Sequence, residues 1–222
     1  MTIKLYKLDG SPQVRPPLML ADILKLEFEP VTVNLLAGEH LKPEYVEKNP
    51  NHTIPMLEDD GYIVADSHAI LMYLVDKYGQ DQQQLYPKDL KLRTTVNQRL
   101  FFEASTLATA RQAAMVGIFK NNATGPDEEG IKKVNELYKT LEAYLSKTKF
   151  LACDHLTIAD ISCVATISAV DYVVPIDAKY TKLSAWFNNL KQEQWYKNGN
   201  EPGLEIFIQY LKGMIAKNSG QA

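Results

Sequence analysis

Residues 3–7, Ile-Lys-Leu-Tyr-Lys, alternate apolar and polar side chains, the two-residue period of a half-buried strand. Gly10-Ser11-Pro12 follows as turn, cap and first helical position, and apolar Leu18, Leu20, Ile23 and Leu24 come next. Residues 29–34 predict a second short strand ahead of a loop containing Gly38. Met56–Leu57 and Tyr62–Val64 flank Asp59-Asp60-Gly61, a hairpin signal. Between Ser67 and Tyr78, Ile70, Leu71, Leu74 and Val75 fall on one helical face. The order β-α-β then β-β-α predicts a small mixed sheet with helices packed on it.

Gly79 to Lys88 carries Gln82-Gln83-Gln84 and Pro87 without apolar period, and is the expected linker. Beyond it the pattern is helical throughout, over about 89–120, 128–147, 157–171, 179–191 and 203–217. Gly125-Pro126, Pro175 and Gly199 to Gly203 mark the loops. The expected division is 1–80, a linker at 81–87, and an all-α unit of five helices within 88–222.

Composition narrows the function. The 222 residues suffice for one or two domains with a sizeable core. A net charge of −3 gives no electrostatic reason to expect nucleic acid or an anionic membrane. No run approaches 18 apolar residues, and the N-terminus lacks a basic segment followed by an apolar one, so the expected location is the cytoplasm. Two patterns for glycosylation, Asn51-His52-Thr53 and Asn122-Ala123-Thr124, are expected to be idle there. The two cysteines, Cys153 and Cys163, form no CxxC and are expected as small buried apolar residues. The four histidines show no metal-ligand spacing, so no metal is expected.

The most informative segment is Asn49 to Leu57, with Ile54-Pro55 inside it and Asp66-Ser67-His68 eleven residues after Pro55. A proline opening a short strand removes a ladder hydrogen bond and leaves the N–H and C=O of the preceding residue free at a bent chain end. Such a backbone pair at Ile54 can grip an extended peptide in strand fashion. Asp66-Ser67 then opens a helix, where free N–H groups and the dipole favour a carboxylate. Together these residues predict a site for a small acidic peptide.

Several motifs in order now carry a resemblance. Ser11-Pro12-Gln13-Val14-Arg15 is similar to the Ser-Pro-x-x-Arg start of the serine-type cytosolic glutathione transferases. Asn34 to Tyr45 resembles the insect epsilon class, with delta as its neighbour, and Asn49 to Leu57 and Asp66-Ser67-His68-Ala69-Ile70 fit the same class. Leu156-Thr157-Ile158-Ala159-Asp160-Ile161-Ser162 matches a folding motif of the family's helical domain, a capping box with Asp in place of Glu. The sequence departs from the pattern at Gln13, where a second proline is common. Pro16-Pro17 also falls early in the first helix, so the regular helix is expected to start near Arg15, after a loose turn.

The resemblance implies a fold of mixed α/β plus all-α type: an N-terminal thioredoxin-like domain followed by an all-helical domain. It implies transfer of glutathione, as co-substrate, to hydrophobic electrophiles, with a homodimer expected. Dehydrochlorinase and peroxidase side activities accompany that reading; a non-catalytic carrier of apolar ligands is the alternative. Ser11 is the implied catalytic residue, its hydroxyl donating to the glutathione sulfur; from position alone it is equally a helix N-cap. A thiol of pKa about 8.5 is roughly 3% ionised at pH 7, and about 75% ionised if its pKa falls to about 6.5. His40 and His52 are implied near the glycyl carboxylate, Thr53 and the Ile54 backbone along the peptide, and Asp66 and Ser67 at the γ-glutamyl end, where Asp66 accepts from the ammonium and Ser67 donates to the carboxylate. His68 joins that set, although a histidine in a first helical turn is more often structural. The electrophile pocket is implied at Pro12, Leu35, Arg111, Ala114, Met115, Phe119 and Phe207, against the alternative of an ordinary apolar core. Arg111, a charge amid alanines, needs a partner; that partner is either a glutathione carboxylate or a core acid such as Glu103, and the ligand is favoured.

Overall fold

The computed structural model describes residues 2–220. β1 (Ile3–Lys7) lies beside β2 (Phe28–Thr32) in parallel and beside β3 (Met56–Asp59) antiparallel, and β4 (Tyr62–Ala65) closes the sheet on β3. The strand order is β2-β1-β3-β4. A parallel neighbour requires a crossover, and α1 (Arg15–Leu24) supplies it between β1 and β2. Asp60 and Gly61, both at positive φ, form the two-residue turn between β3 and β4. α3 (Ser67–Tyr78) returns across the sheet with Ile70, Leu71, Leu74 and Val75 buried, as its period predicts.

α1 begins at Arg15, so Pro16 and Pro17 occupy the first turn, where N–H groups have no helical partner. The second strand ends two residues earlier than expected, although the Val33 N–H still bonds the Lys7 carbonyl at 2.8 Å. The loop expected after it contains a short helix, α2 (Pro43–Lys48), with proline at its first position. The expected linker is itself wound into short turns over Gln80–Leu85.

The second half holds α4 (Leu90–Phe102), α5 (Ala108–Lys120), α6 (Glu128–Leu145), α7 (Ile158–Val173), α8 (Thr181–Leu190), α9 (Gln194–Gly199) and α10 (Glu201–Asn218). Five helices were too few. One wide π-turn, Glu103–Leu107, divides the first expected helix into α4 and α5. The expected loop at Gly199–Gly203 is mostly helical: Pro202 sits in the first turn of α10, where it costs no hydrogen bond, and Gly199 ends α9. A Cβ at Gly199 would lie 2.5 Å from the Met19 N, so its glycine permits α9 to touch the α1 backbone.

α7 is the central helix and is buried from Ile158 to Val170. Its capping box closes as the sequence predicts, and Asp160 does more than cap. Fully buried, it accepts from Leu151 N (2.9 Å), Thr157 N (3.0 Å), Thr157 Oγ1 (2.9 Å) and Trp186 Nε1 (3.0 Å), tying a loop and α8 to α7. Cys163 is buried as expected, whereas Cys153 is only half-buried.

Candidate active site

The 49–54 segment is braced from beneath. Asn49, 4% exposed, donates from Nδ2 to the Thr53 carbonyl (2.9 Å) and accepts the Asn51 N–H (3.2 Å). The Tyr45 hydroxyl reaches the same Thr53 carbonyl at 2.7 Å. β3 begins only at Met56, after the cis Ile54-Pro55 bond, and the Ile54 N–H and C=O take no hydrogen bond among the described residues. The free backbone pair expected at Ile54 is there, on a loop held by two buried side chains.

Opposite it, Asp66 caps α3. Its Oδ1 accepts from His68 N (2.8 Å) and Ala69 N (3.3 Å), and the residue sits at φ 75°, a conformation uncommon outside glycine. The same oxygen lies 3.0 Å from His68 Nδ1, and that hydrogen bond, against the opposing effect of burial, holds the Asp66 carboxyl below its usual range. Ser67 is buried apart from a small residual surface, and its hydroxyl bonds to no described residue.

A cleft of 470 Å³ brings these elements together. Thr53, Ile54, Asp66, Ser67 and His68 line it, joined by Gln13, Asn51, Glu103 and Ala104. Five predicted glutathione contacts thus converge on one space that is bounded by both halves of the chain. Glu103 and Ala104 come from the π-turn, and no local pattern announces them.

The His68 side chain has a different occupation from the one implied. Its Nε2 lies 2.6 Å from Glu103 Oε2 while Nδ1 faces Asp66, so both ring nitrogens are engaged within the protein. Burial opposes the imidazolium, but the two carboxylates outweigh it and raise the pKa to about 9. The structural reading of a first-turn histidine therefore applies to its ring. Glu103 also accepts from Thr166 Oγ1 of α7 (2.6 Å), which completes a chain from Asp66 to the central helix.

Ser11 is not a helix cap. Val14 holds that position, and its N–H bonds the Ser11 carbonyl (3.2 Å) rather than the hydroxyl. The Ser11 hydroxyl makes no hydrogen bond among the described residues, and the residue is half-buried. Gly10 before it, at φ +91°, faces α10: a Cβ there would lie 3.1 Å from Ile206 Cγ2 and 3.5 Å from Phe207 N. The Ser11 turn is thus pressed against the helix that carries Phe207.

His40 and His52 stand together, ring centroids 6.1 Å apart, and His40 Nδ1 is buried without a partner among the described residues. Arg111 forms no ion pair with Glu103, whose oxygens His68 and Thr166 occupy; its Nε is buried without a partner among the described residues, and burial lowers its pKa. Phe119 and Phe207 are partly buried against the core, and Phe119 stacks on Tyr210 of α10 at 6.0 Å. Pro12, within the same turn as Ser11, is buried, while Leu35 packs toward Val33, Tyr45 and Met56. Ala114 and Met115 are 0% and 4% exposed, and α6 packs directly on the Ala114 backbone at Gly130, so Ala114 backs the helical core instead of offering a surface. Among the described residues no group of three or more His, Cys, Asp or Glu could hold a metal ion, and no helix is long and apolar enough to cross a membrane.

Comparison with known proteins agrees with the motifs. Residues 1–76 match the glutathione S-transferase N-terminal domain and residues 106–193 the C-terminal domain. Glutathione S-transferase 1 of Manduca sexta is 43% identical over 93% of this chain and 95% of its own length. An epsilon-class glutathione S-transferase from the housefly Musca domestica superposes with a TM-score of 0.90 at 41% identity, covering 96% of this chain and 98% of that one. A glutathione transferase homologue from Drosophila mojavensis, solved with bound glutathione, gives 0.88 at 38% identity, covering 96% and 97%. The chain belongs to the glutathione S-transferase family, beside insect delta- and epsilon-class members, and is a transferase with glutathione as its co-substrate.

Proposed function

We propose that this enzyme conjugates reduced glutathione to small hydrophobic electrophiles, with Ser11 stabilising the attacking thiolate. The observation that carries the reading is the pairing, across one cleft, of the free Ile54 backbone with the N-terminus of α3. The peptide lies along Ile54 and Thr53; its γ-glutamyl carboxylate meets Ser67 and the α3 N–H groups, and its ammonium meets the outer oxygen of Asp66. His40 and His52, with Arg111 as a third candidate, serve the other carboxylate. His68 contributes by holding Asp66 in place.

The Ser11 hydroxyl donates to the sulfur, which favours thiolate over thiol. The thiolate forms a carbon–sulfur bond, and a halide departs with the bonding pair, or an activated double bond takes up a proton. The same thiolate acting as a base removes a proton from an organochlorine compound as chloride leaves, regenerating glutathione. Reduction of a peroxide to alcohol and water would consume two glutathiones and yield their disulfide. The electrophile occupies the space between the Ser11 turn, α5 and α10, against Pro12, Arg111, Met115, Phe119 and Phe207, with Leu35 at its edge.

The working division is a glutathione-binding unit at 1–80, a connector at 81–87 and a pocket-lining helical unit at 88–222. A second copy of this chain is the partner proposed for the exposed Tyr62, Leu90 and Phe101, and the cytoplasm is the proposed location.

The test is glutathione consumption with a panel of chlorinated aromatics, enals and isothiocyanates. Turnover with at least one aromatic halide is expected, since that reaction needs only a thiolate beside an apolar space. Tight binding of an apolar dye with no consumption across the panel would favour the carrier instead.

A further inference from the structure

Arg15, the first residue of α1, is 1% exposed. Its Nη1 donates to Ser168 Oγ of α7 (2.9 Å) and to Asn200 Oδ1 between α9 and α10 (2.8 Å). Nε and Nη2 have no acceptor among the described residues. None of the ion pairs among those residues includes it. A buried guanidinium ordinarily faces a carboxylate. Here the charged or titratable groups that act on it are Tyr196 of α9 and a second cation, Arg111 of α5; burial, with Arg111 adding to it and Tyr196 opposing, holds the Arg15 pKa down to about 9.

Its position is behind the reactive turn. A Cβ on Gly203 of α10 would touch both Arg15 Cδ (3.2 Å) and Gly10 N (3.6 Å), so the Arg15 stem and the Gly10-Ser11 turn share one contact. The N-terminal end of α1, four residues beyond Ser11, adds partial positive charge of the same sign.

We propose that Arg15 is a positioning residue for the thiolate: a buried cation without a counter-anion, whose field falls on the sulfur held at Ser11. The inference rests on the Ser11 reading above. Ser168 and Asn200 fix the guanidinium through neutral oxygens, which satisfy part of it without cancelling its charge. A unit charge at about 10 Å, in an effective dielectric of about 20, moves a pKa by roughly one unit. By reciprocity, bound thiolate supplies the anion that Arg15 lacks.

The experiment measures the thiol pKa of bound glutathione from thiolate absorbance against pH. Asn200→Asp sets a carboxylate against Nη1 and neutralises Arg15 without removing it, so the protein keeps its fold. That pKa is expected to rise by about one unit, with conjugation at pH 6.5 falling about fivefold if the parent thiol titrates at about 6.5. Arg15→Gln, which keeps a donor but loses the charge, should raise it likewise, and Arg15→Lys should stay within a few tenths of the parent. An unchanged thiol pKa in Asn200→Asp would reduce Arg15 to a pin between helices and overturn the proposal, whether or not Arg15→Gln folds. If Ser11→Ala raises the pKa and Asn200→Asp does not, only the Arg15 inference falls. If the parent itself leaves bound glutathione near about 8.5, the Ser11 reading falls and takes this one with it.

Discussion

His68 and Glu103 meet at 2.6 Å, Nε2 to Oε2, and so join the first turn of α3 to the π-turn between α4 and α5. The contact links a helix that borders the 470 Å³ cleft to the helical half of the chain, and Thr166 extends it into α7. Because the His68 pKa is raised to about 9 from an ordinary 6.5, the folded state binds its proton more tightly than the unfolded chain does. Its contribution is full below pH about 6.5 and is lost as pH rises through about 9, with an upper bound on the order of 3 kcal/mol. The melting temperature of the parent should therefore exceed that of His68→Gln at pH 6 by several degrees and converge with it near pH 10. Comparing the two proteins cancels Arg15, which titrates in the same range. A gap independent of pH would mean that His68 is neutral in the folded protein.

Ser11→Ala should slow conjugation by roughly 10–100-fold and raise the pKa of bound thiol, since it removes a hydrogen bond to charged sulfur of about 1.5–3 kcal/mol. Stability should hardly change, because the Ser11 hydroxyl bonds to no described residue. Normal turnover in this variant would exclude the serine mechanism.

Asp66 caps α3 and is proposed to hold the ligand's ammonium as well, and the variants must separate the two roles. Asp66→Asn keeps an oxygen for the His68 and Ala69 N–H groups but removes the charge offered to the ligand's ammonium. That variant and Ser67→Ala should raise KM for glutathione while kcat stays within a few-fold, because both hold a part of the ligand that does not react. Collapse of kcat at constant KM would place these residues at the sulfur.

The Thr157-x-x-Asp160 motif carries stability rather than chemistry. Asp160→Ala would orphan donors on Leu151, Thr157 and Trp186 inside a fully buried site, a cost on the order of 3–5 kcal/mol. Denaturant unfolding should show that loss, and the fraction remaining folded should bind glutathione with normal affinity.

Local chemistry in the sequence makes the Ile54 and Asp66-Ser67 walls of the cleft legible. Ile54-Pro55 and Asp66-Ser67 signal free backbone groups and a helix start without help from distant residues. Pro16-Pro17 likewise makes a start near Arg15 legible, because a proline N–H is dispensable only in a first turn. The Glu103 contact is not legible, since it joins residues 35 apart through the one wide turn that redirects a helix. The α9–α10 boundary is hidden for another reason. Gly199 and Pro202 read as a loop, yet the glycine serves a helix contact on α1 and the proline a helix start. Apolar periodicity marks Ala114 and Phe119 alike; only packing separates a residue under α6 from one stacked on α10.

That separation can be tested on the two phenylalanines. Phe119 stacks on Tyr210, Phe207 lies in the stretch of α10 that meets Gly10, and neither lines the cleft that holds Asp66; the proposed function sets both against the electrophile rather than the peptide. Phe119→Ala and Phe207→Ala should reorder the ranking of electrophiles, favouring bulkier ones where a ring has been removed, and leave KM for glutathione within a few-fold. Aromatic walls select by shape and apolar area, so the changes should differ between a flat chlorinated aromatic and a slender enal. Both side chains are only partly buried, so each truncation should cost less than the roughly 3–5 kcal/mol of a core phenylalanine. A uniform loss for every electrophile, with a fall in melting temperature to match the full core value, would assign both rings to the hydrophobic core.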